Sequence, residues 1–561
     1  MLNIHRLIYR APEVAWNTTT GHLLSIIGLP SVPQAIRVQA ARVLDEILVV
    51  VPRNLPSSGD LQATAQHRVL DVLSKQIVPA SEAGAVGTST NVELRRMGLE
   101  ALHQILQASG HTLVVGWGSI FEMLGSVCKS PVLLRTTSSD SVSTLSLQDH
   151  RPKPLLLGYN NERGYTALVK IAFQSLKLVC DSVSSLSPED LRQCIGTLGQ
   201  FGRQADTNIA LTAAESLLWS VSDSIQSKRK DAEEEPEYSA LWMFLLLEVL
   251  GLCTDARPEV RVGAIQTLFR AMQLYGATLS LETWNDCMWK ITFPLLDAIS
   301  VETRRIPAEG AGPSSAAHPL GSTPDQAWDE SKSLALQSIG SIIKEFVVSK
   351  IMYLSTFSDA WRVFVKHIQD TVLLDRRPLS TPALQCLDKA IGSLSEAMDE
   401  VMRLRVVDAL ECAWQAWNDV GGALLQGGGA SHSSPAVGSR RAFTQESLVA
   451  YLDVVRTMRR MSWQHLRTEW SLERLTRLME ILKGGCSYCW VVDSSVTLDV
   501  CIIGVLTYSK SSDYRLDVDS LTPVQVSDKC GCLCLVFIGH RRRLSSTLSK
   551  PSTSPSLAYH R

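Results

Sequence analysis

The chain has no excess of either charge: 54 Lys and Arg stand against 56 Asp and Glu, a formal net charge of -2. With a sequence pI near 6.6, it has no overall basic field to hold nucleic acid or an anionic membrane surface. Long apolar runs are missing as well. The most apolar stretch, Leu241 to Leu247, is broken by Glu248, whereas a transmembrane helix needs about 20 apolar residues in a row. Arg6, Arg10 and Glu13 interrupt any secretion-signal core at the start. The expectation is a soluble chain in a reducing compartment, with membrane contact at most peripheral. No disulfide is then expected among its 13 cysteines, and the glycosylation pattern Asn17-Thr18-Thr19 is incidental.

Signatures of catalysis are equally scarce. There is no GxxxxGK[ST] phosphate loop, no HExxH and no GxSxG. Ser341-Ile342-Ile343-Lys344 spells SxxK, but its apolar neighbours fall at helical spacing and the companion elements of that site are missing. The 12 histidines are dispersed and never paired at metal-ligand spacing. Cys486-Ser487-Tyr488-Cys489 with Cys530, Cys532 and Cys534 is the sharpest metal pattern. A CxxC supplies half of a thiolate zinc site, yet the second half reads C-x-C-x-C, a spacing that argues against zinc. No catalytic, cofactor-binding or metal-ligating residue is assigned, no cofactor is expected, and the chain is read as non-enzymatic.

What is present is a period of 3.6. Hydrophobic residues make up 45% and charged residues 20% of 561 positions, enough for three or four domains of roughly 150 residues or for one long solenoid. Leu94, Met97, Ala101, Leu102 and Ile105 share one helical face, and so do Tyr165, Leu168, Val169, Ala172, Phe173, Leu176 and Val179. Val260, Ala264, Ile265, Leu268, Phe269, Met272 and Tyr275 form the cleanest stripe, which Gly276 stops. Ser187-Pro188-Glu189-Asp190 is a helix start: Ser187 can cap, Pro188 fits the first turn, and the acids suit the positive end.

Stripes come in pairs joined by short turns, the pattern of an all-α solenoid of HEAT/armadillo-like hairpins. Asp255-Ala256-Arg257-Pro258-Glu259-Val260-Arg261 resembles the turn and second helix of a HEAT repeat. Helical repeats are expected over 1–135, 159–301 and 327–418, with a helical hairpin over 443–484. Between them lie a Ser/Thr-rich linker (136–158), a linker rich in Gly, Ala and Pro (302–326) and a Gly/Ser linker (419–442). The charge run from Lys228 to Glu237 reads as a solvated loop. Trp219, Trp242, Trp284, Trp289, Trp328, Trp361, Trp414 and Trp417 fall at helical spacing and read as core, with a few lining a groove for a partner helix.

Several segments, taken in order, resemble one family. Trp117 to Leu124 comes first. Leu191 to Phe201 runs into Asp206-Thr207-Asn208-Ile209-Ala210-Leu211 and on to Leu217-Leu218-Trp219 and Ser222-Asp223. Asp255 to Arg261, with Pro258 and Val260 inside it, precedes Trp284, then Phe293-Pro294-Leu295-Leu296-Asp297, then Trp328-Asp329-Glu330-Ser331. Over roughly residues 1–484 the set is similar to the Mon-two (monensin-hypersensitivity) family, relatives of the large Arf guanine-nucleotide exchange factors that lack the catalytic exchange domain. Asp206, Asn208, Leu211, Trp219, Asp223, Asp255, Pro258, Val260, Arg261, Trp284, Pro294, Trp328, Asp329 and Glu330 are read as structural, because the pattern is mostly apolar positions and caps.

The resemblance implies a large scaffold, peripheral on trans-Golgi network and endosome membranes, that acts in vesicle-mediated transport. Its implied partners are dopey-type proteins, a phospholipid flippase and Arf-like GTPases; it implies no nucleic acid, and homo-oligomerisation stays open. The rival readings are another HEAT scaffold, such as a nuclear transport receptor or phosphatase subunit, and a GTPase exchange regulator. Family members are much longer, so Met1 is expected to start a fragment or a truncated gene model. After Gly484 the helical pattern is expected to stop. Gly485 to Ile503 reads as strand-like and as a retained intron, family-like text resumes at Gly504, and Val526 onward reads as a second read-through.

Overall fold

The computed structural model of the chain describes residues 12–53, 60–78, 89–128, 162–228, 235–305, 324–374, 376–396, 400–427, 444–466 and 470–488. Among them every regular element is helical. Two compact units emerge: Met1–Ile306, Pro313–Ile342 and Ser349–Leu354 form the first, and Pro307–Gly312, Ile343–Val348 and Ser355–Arg561 the second.

The first unit holds α1 (Pro12–Gly28), α2 (Gln34–Arg53), α3 (Asp60–Ile77), α4 (Ser89–Ser109), α5 (Trp117–Ser126), α6 (Glu162–Asp181), α7 (Pro188–Gly202), α8 (Thr207–Ser216) and α9 (Ser222–Lys228). It continues with α10 (Glu235–Leu252), α11 (Pro258–Tyr275), α12 (Leu281–Asp286), α13 (Phe293–Arg305) and α14 (Pro324–Phe346, through Ile342). Sequence neighbours pair as hairpins: α1 with α2, α3 with α4, α5 with α6, α7 with α8, α10 with α11. The hairpins stack into two layers. One runs α3–α5–α7–α10 and the other α2–α4–α6–α8–α11, so each helix buries its apolar stripe against its partner and against both neighbouring repeats. The expected all-α hairpin solenoid is the observed fold.

Local chemistry sets the helix ends. The Ser187 hydroxyl accepts from the Asp190 N–H at 3.2 Å, with Pro188 in the first turn of α7. The Asp206 carboxylate accepts from the N–H groups of Asn208 and Ile209 at 3.0 and 3.3 Å and starts α8. Such caps satisfy N–H groups that have no partner inside the helix. Gly116 has φ +87°, which favours glycine, and a Cβ there would lie 2.3 Å from Leu70.

The exits from α4, α6, α11 and α14 repeat one device that residue identity conceals. In each, a three-residue 3₁₀ turn closes with an extended, buried leucine: Gly110–Thr112 with Leu113, Val183–Ser185 with Leu186, Gly276–Thr278 with Leu279, and Ile351–Tyr353 with Leu354. The leucine N–H donates to the first carbonyl of the turn over 3.2 Å in every case.

The second unit pairs α15 (Phe357–Val372) with α16 (Arg377–Ser393) and α17 (Glu400–Gly427) with α18 (Gln445–Arg460), and α19 (Leu472–Tyr488) packs on α17. Its core is an aromatic stack. Trp417 lies flat on Tyr451 with ring centroids 4.5 Å apart, Trp414 stacks on Trp417 at 5.3 Å, and Trp470 meets Trp414 edge-on at 5.1 Å. The Trp417 indole N–H donates to the Tyr451 carbonyl at 2.9 Å and the Tyr451 hydroxyl returns a bond to the Trp417 carbonyl at 2.8 Å.

Three expected linker edges are helical. Residues 302–305 complete α13, and α14 starts at Pro324. Residues 419–427 belong to α17, because Gly421 sits where α17 meets Tyr451 and Ile481 and a side chain would not fit. The charge run from Lys228 to Glu237 is helical at both ends, in α9 and α10. Helix α19 reaches Tyr488, four residues past the expected stop at Gly484. The rest of the expected strand-like insert, the tail after it and the Ser/Thr-rich linker lie outside the described residues.

Candidate functional site

Five of the family-like motif residues, Asp255, Pro258, Val260, Arg261 and Trp328, meet at the turn between α10 and α11. Asp255 binds Arg257 through both carboxylate oxygens, Nε to Oδ1 and Nη2 to Oδ2, each at 2.9 Å, and also accepts the Arg257 backbone N–H at 2.8 Å. Arg257 Nη1 then reaches the carbonyls of Gln204 and Ala205 at 2.8 and 3.1 Å, in the turn of the preceding hairpin. Arg261, one turn into α11, points the other way. Its Nη1 donates to the carbonyls of Asp255 and Ala256, its Nε to Ser331 Oγ at 2.8 Å, and its Nη2 to the Ala327 carbonyl at 3.1 Å on α14. Two arginines of one turn therefore fasten three successive repeats.

Arg261 is 1% exposed, and its guanidinium carbon lies 3.8 Å from the centroid of the Trp328 ring. Burial lowers its pKa to about 10, against the opposing fields of Asp255, Glu259 and Glu302. It stays charged at neutral pH, and its bonds to carbonyls and the indole face offset the loss of water. Two other second-layer helices carry an arginine in this role. Arg37 on α2 donates to the Ile27 carbonyl at 2.8 Å and to Asn91 on α4 at 2.9 Å. Arg95 on α4 donates to the Ile77 carbonyl at 2.9 Å and to Ser126 at 3.3 Å.

A second ladder runs along the leucine turns. Lys350 Nζ donates to the Leu279 carbonyl at 2.9 Å, and Lys228 Nζ donates to the Leu186 carbonyl. Lys228 is the last residue of α9 and Lys350 follows the end of α14, and each holds a leucine turn that precedes it in the chain. Sequence reading misses it, because the partners are 71 and 42 residues apart.

The structure brings together Asp255, Pro258, Val260, Arg261 and Trp328 but scatters the remaining motif residues. Val260 is buried and Pro258 opens α11. Trp284 is fully buried, with its indole N–H on the Gly276 carbonyl at 2.8 Å. Pro294 lies in the first turn of α13, half-buried; Leu211 and Asp329 are half-buried, and Asn208, Asp223 and Glu330 are exposed. Trp219 departs from the core reading at 56% exposure. It sits in a π-helical turn, Leu217–Val221, between α8 and α9. The Leu217 carbonyl there accepts both the N–H and, at 3.0 Å, the hydroxyl of Ser222. Counted at about 100° per residue from the buried Ala210, Ala213, Ala214 and Leu217, the indole falls on the outer face of the helix. Trp289 and Trp328 are half-buried, and Trp242, Trp361, Trp414 and Trp417 are buried.

Several groups with chemical potential among the described residues are spent on structure or held inert. His103 Nδ1 lies 3.2 Å from Ser175 Oγ, a serine–histidine contact that spacing does not reveal, but Ser175 is fully buried and gives its proton to the Ile171 carbonyl at 3.0 Å. Ser341 of the SxxK pattern donates to the Gln337 carbonyl at 3.0 Å within α14. Burial raises the thiols of Cys128 and Cys287 to about 12 and that of Cys253 further, so none is a thiolate at neutral pH. Among the described residues no group of three His, Cys, Asp or Glu is placed to hold a metal, and no helix is long and apolar enough to cross a membrane. The cysteine pattern from Cys489 through Cys530, Cys532 and Cys534 lies outside the described residues.

A cleft of about 490 Å³ between α2 and α4 is lined by Arg42, Asp45, Glu46, Glu93, Arg96 and Glu100 among others. Arg96 is bound to both Glu93 and Glu100. Burial, reinforced by Glu100, raises the Asp45 carboxyl to about 7 against a bond from Gln76.

The sequence model of the family described as the C-terminal region of Mon2 protein matches residues 228–471. The human Protein MON2 homolog is 25% identical over 432 residues, which is 71% of this chain and 22% of the relative. The Drosophila melanogaster homolog is 26% identical over 67% of this chain and 21% of its own length. Monensin-resistant homolog 2 of Caenorhabditis elegans is 24% identical over 60% and 19%. The chain thus spans about a fifth of the length of these relatives. Among solved structures, a circular tandem repeat protein aligns with TM-score 0.28 and 13% identity, covering 91% of this chain and 98% of its own. A chain from a structure of Kap95p binding RanGDP aligns with TM-score 0.24 and 11% identity, over 95% and 66%.

Proposed function

Because the chain belongs to the Mon2 family, we propose that it is a non-catalytic scaffold in vesicle-mediated transport between Golgi and endosomes. Its proposed partners are a dopey-type protein, a phospholipid flippase and Arf-like GTPases, held on the cytoplasmic face of trans-Golgi network and endosome membranes by peripheral contact. The observation that carries this reading is the stacking of hairpins fastened one to the next by Arg257, Arg261 and Lys350. Such a stack offers an extended surface of helix faces in place of a deep reactive pocket, and repeat proteins bind other proteins along surfaces of that kind. The buried serine–histidine contact and the un-ionised thiols support a role without covalent chemistry.

The test is an affinity pull-down with the full chain as bait, read by mass spectrometry, beside a nucleotide-exchange assay on purified Arf-like GTPases. Recovery of a dopey-type protein, the flippase or an Arf-like GTPase, without stimulated exchange, is the expected result. Clear stimulation of exchange, or recovery of nuclear import cargo or phosphatase subunits in place of these partners, overturns it.

A further inference from the structure

Among the described tryptophans Trp219 is the most exposed, at 56%, and its surroundings show what it would meet. Glu215 lies one turn before it and Asp223 one turn after, and both are exposed. In an uninterrupted α-helix residues eight apart drift off a common face, whereas residues seven apart stay on it. The π turn Leu217–Val221 contributes one additional residue to the helix. Glu215 and Asp223 are thereby brought into line with the indole between them. Leu217, Leu218, Val221 and Ile225 anchor the opposite face in the core, so the stripe is presented on a rigid helix. Among the described residues neither carboxylate forms an ion pair, although others on neighbouring helices do, as Arg203 with Glu248 at 2.7 Å.

We infer that this stripe is a docking surface for a basic, partly apolar segment of a partner protein, one Arg or Lys of which seats its cation on the Trp219 indole between Glu215 and Asp223. The argument is charge complementarity. An aromatic face attracts a cation through its quadrupole, with Trp the best of the aromatic rings. Two uncompensated carboxylates, one turn to either side, add the same preference and disfavour an acidic partner. The partner's apolar residues would cover the rest of the indole, as tryptophans at the centre of interfaces commonly are covered. The inference rests on the scaffold reading and gives it a surface and a partner chemistry.

The test titrates the full chain, by calorimetry, with a synthetic amphipathic peptide of leucine and arginine, and with the same peptide carrying glutamate for arginine. The expected result is binding of the arginine peptide alone, weakened by salt, weakened roughly tenfold or more by Trp219→Ala and severalfold by Glu215→Gln with Asp223→Asn. Asp359→Asn, an exposed acid of the second unit, should leave it unchanged. These positions are exposed, so circular dichroism and thermal unfolding should match wild type. Equal affinity of Trp219→Ala and wild type, or equal binding of the glutamate peptide, overturns the inference. Recovery of the proposed partners by Trp219→Ala as well as by wild type overturns this surface and leaves the scaffold reading standing. Trp219-dependent peptide binding by a chain that recovers none of those partners does the reverse.

Discussion

The guanidinium carbon of Arg261 lies 3.8 Å from the centroid of the Trp328 ring, a contact between α11 and α14 made inside the protein. Arg261→Ala would remove the guanidinium donor from the carbonyls of Asp255 and Ala256 and from the Ser331 hydroxyl, while the Ala327 carbonyl would keep the Ser331 hydroxyl at 2.8 Å. A loss of about 3 kcal/mol is expected, since unsatisfied buried acceptors and a broken charge site each cost on that order. Arg261→Lys should recover only part of it, because an ammonium lacks the planar fork that serves several acceptors at once. Hydrogen exchange of α11 and α14 amides measures this locally, without assuming that the two units unfold together. Protection within about 0.5 kcal/mol of wild type in Arg261→Ala would show that the joint carries no stability.

Lys350→Met tests the second ladder. The Leu279 carbonyl would lose its charged donor at 2.9 Å, for an expected cost of about 1–2 kcal/mol. Lys228→Met should act alike at Leu186. Faster exchange should be confined to the repeat that holds each turn, since coupling in such stacks passes between nearest neighbours. Uniform loosening of the whole unit would contradict that.

Features that depend on a few adjacent residues are legible in the amino-acid sequence. The Ser187 cap, the stripe from Val260 to Tyr275 and the Asp255–Arg261 turn are local patterns, and a period of 3.6 is enough to find them. Trp219 misleads where residue type is read without phase: an apolar indole suggests core, yet counted at about 100° per residue from the buried Ala210, Ala213, Ala214 and Leu217 it falls on the outer face. Gly421 misleads for a related reason. Two adjacent glycines resemble a linker, and the side chains that require one of them, Tyr451 and Ile481, are 30 and 60 residues away. The lysine ladder is of the same kind: its partners meet only once the repeats have stacked.

The pair Gly421 and Gly422 allows a sharp comparison within one helix. A Cβ at Gly421 would lie 2.6 Å from the Tyr451 hydroxyl and 2.7 Å from Ile481, whereas at Gly422 the nearest group is the flexible end of Arg477 at 3.4 Å. Gly421→Ala should destabilise the second unit by about 1–3 kcal/mol through overpacking. Gly422→Ala should be neutral or stabilising by up to about 1 kcal/mol, the helix-propensity gain of alanine over glycine. Denaturant titration followed by fluorescence of the tryptophan stack distinguishes them, and equal midpoints would refute the packing argument.

Asp45 makes stability depend on pH in the direction opposite to an ordinary paired carboxylate. Its folded pKa of about 7 lies above the usual value of 3.8, chiefly through burial, and one carboxylate oxygen has no hydrogen-bond partner. Facing it are Arg42 and Glu46 on its own helix, Gln76 on α3, and Glu93, Arg96 and Glu100 on α4. The folded state holds the proton more tightly than the unfolded chain does. The stabilising effect of that proton is therefore complete below about pH 4 and lost as pH rises to about 7, a change on the order of 2–4 kcal/mol. Asp45→Asn keeps the uncharged shape at every pH. Its stability relative to wild type should accordingly grow between pH 4 and 7 and level off above, a difference that cancels the titration of all other carboxylates. A constant difference across that range in paired unfolding experiments would mean that Asp45 ionises normally and that the cleft admits enough water to solvate it.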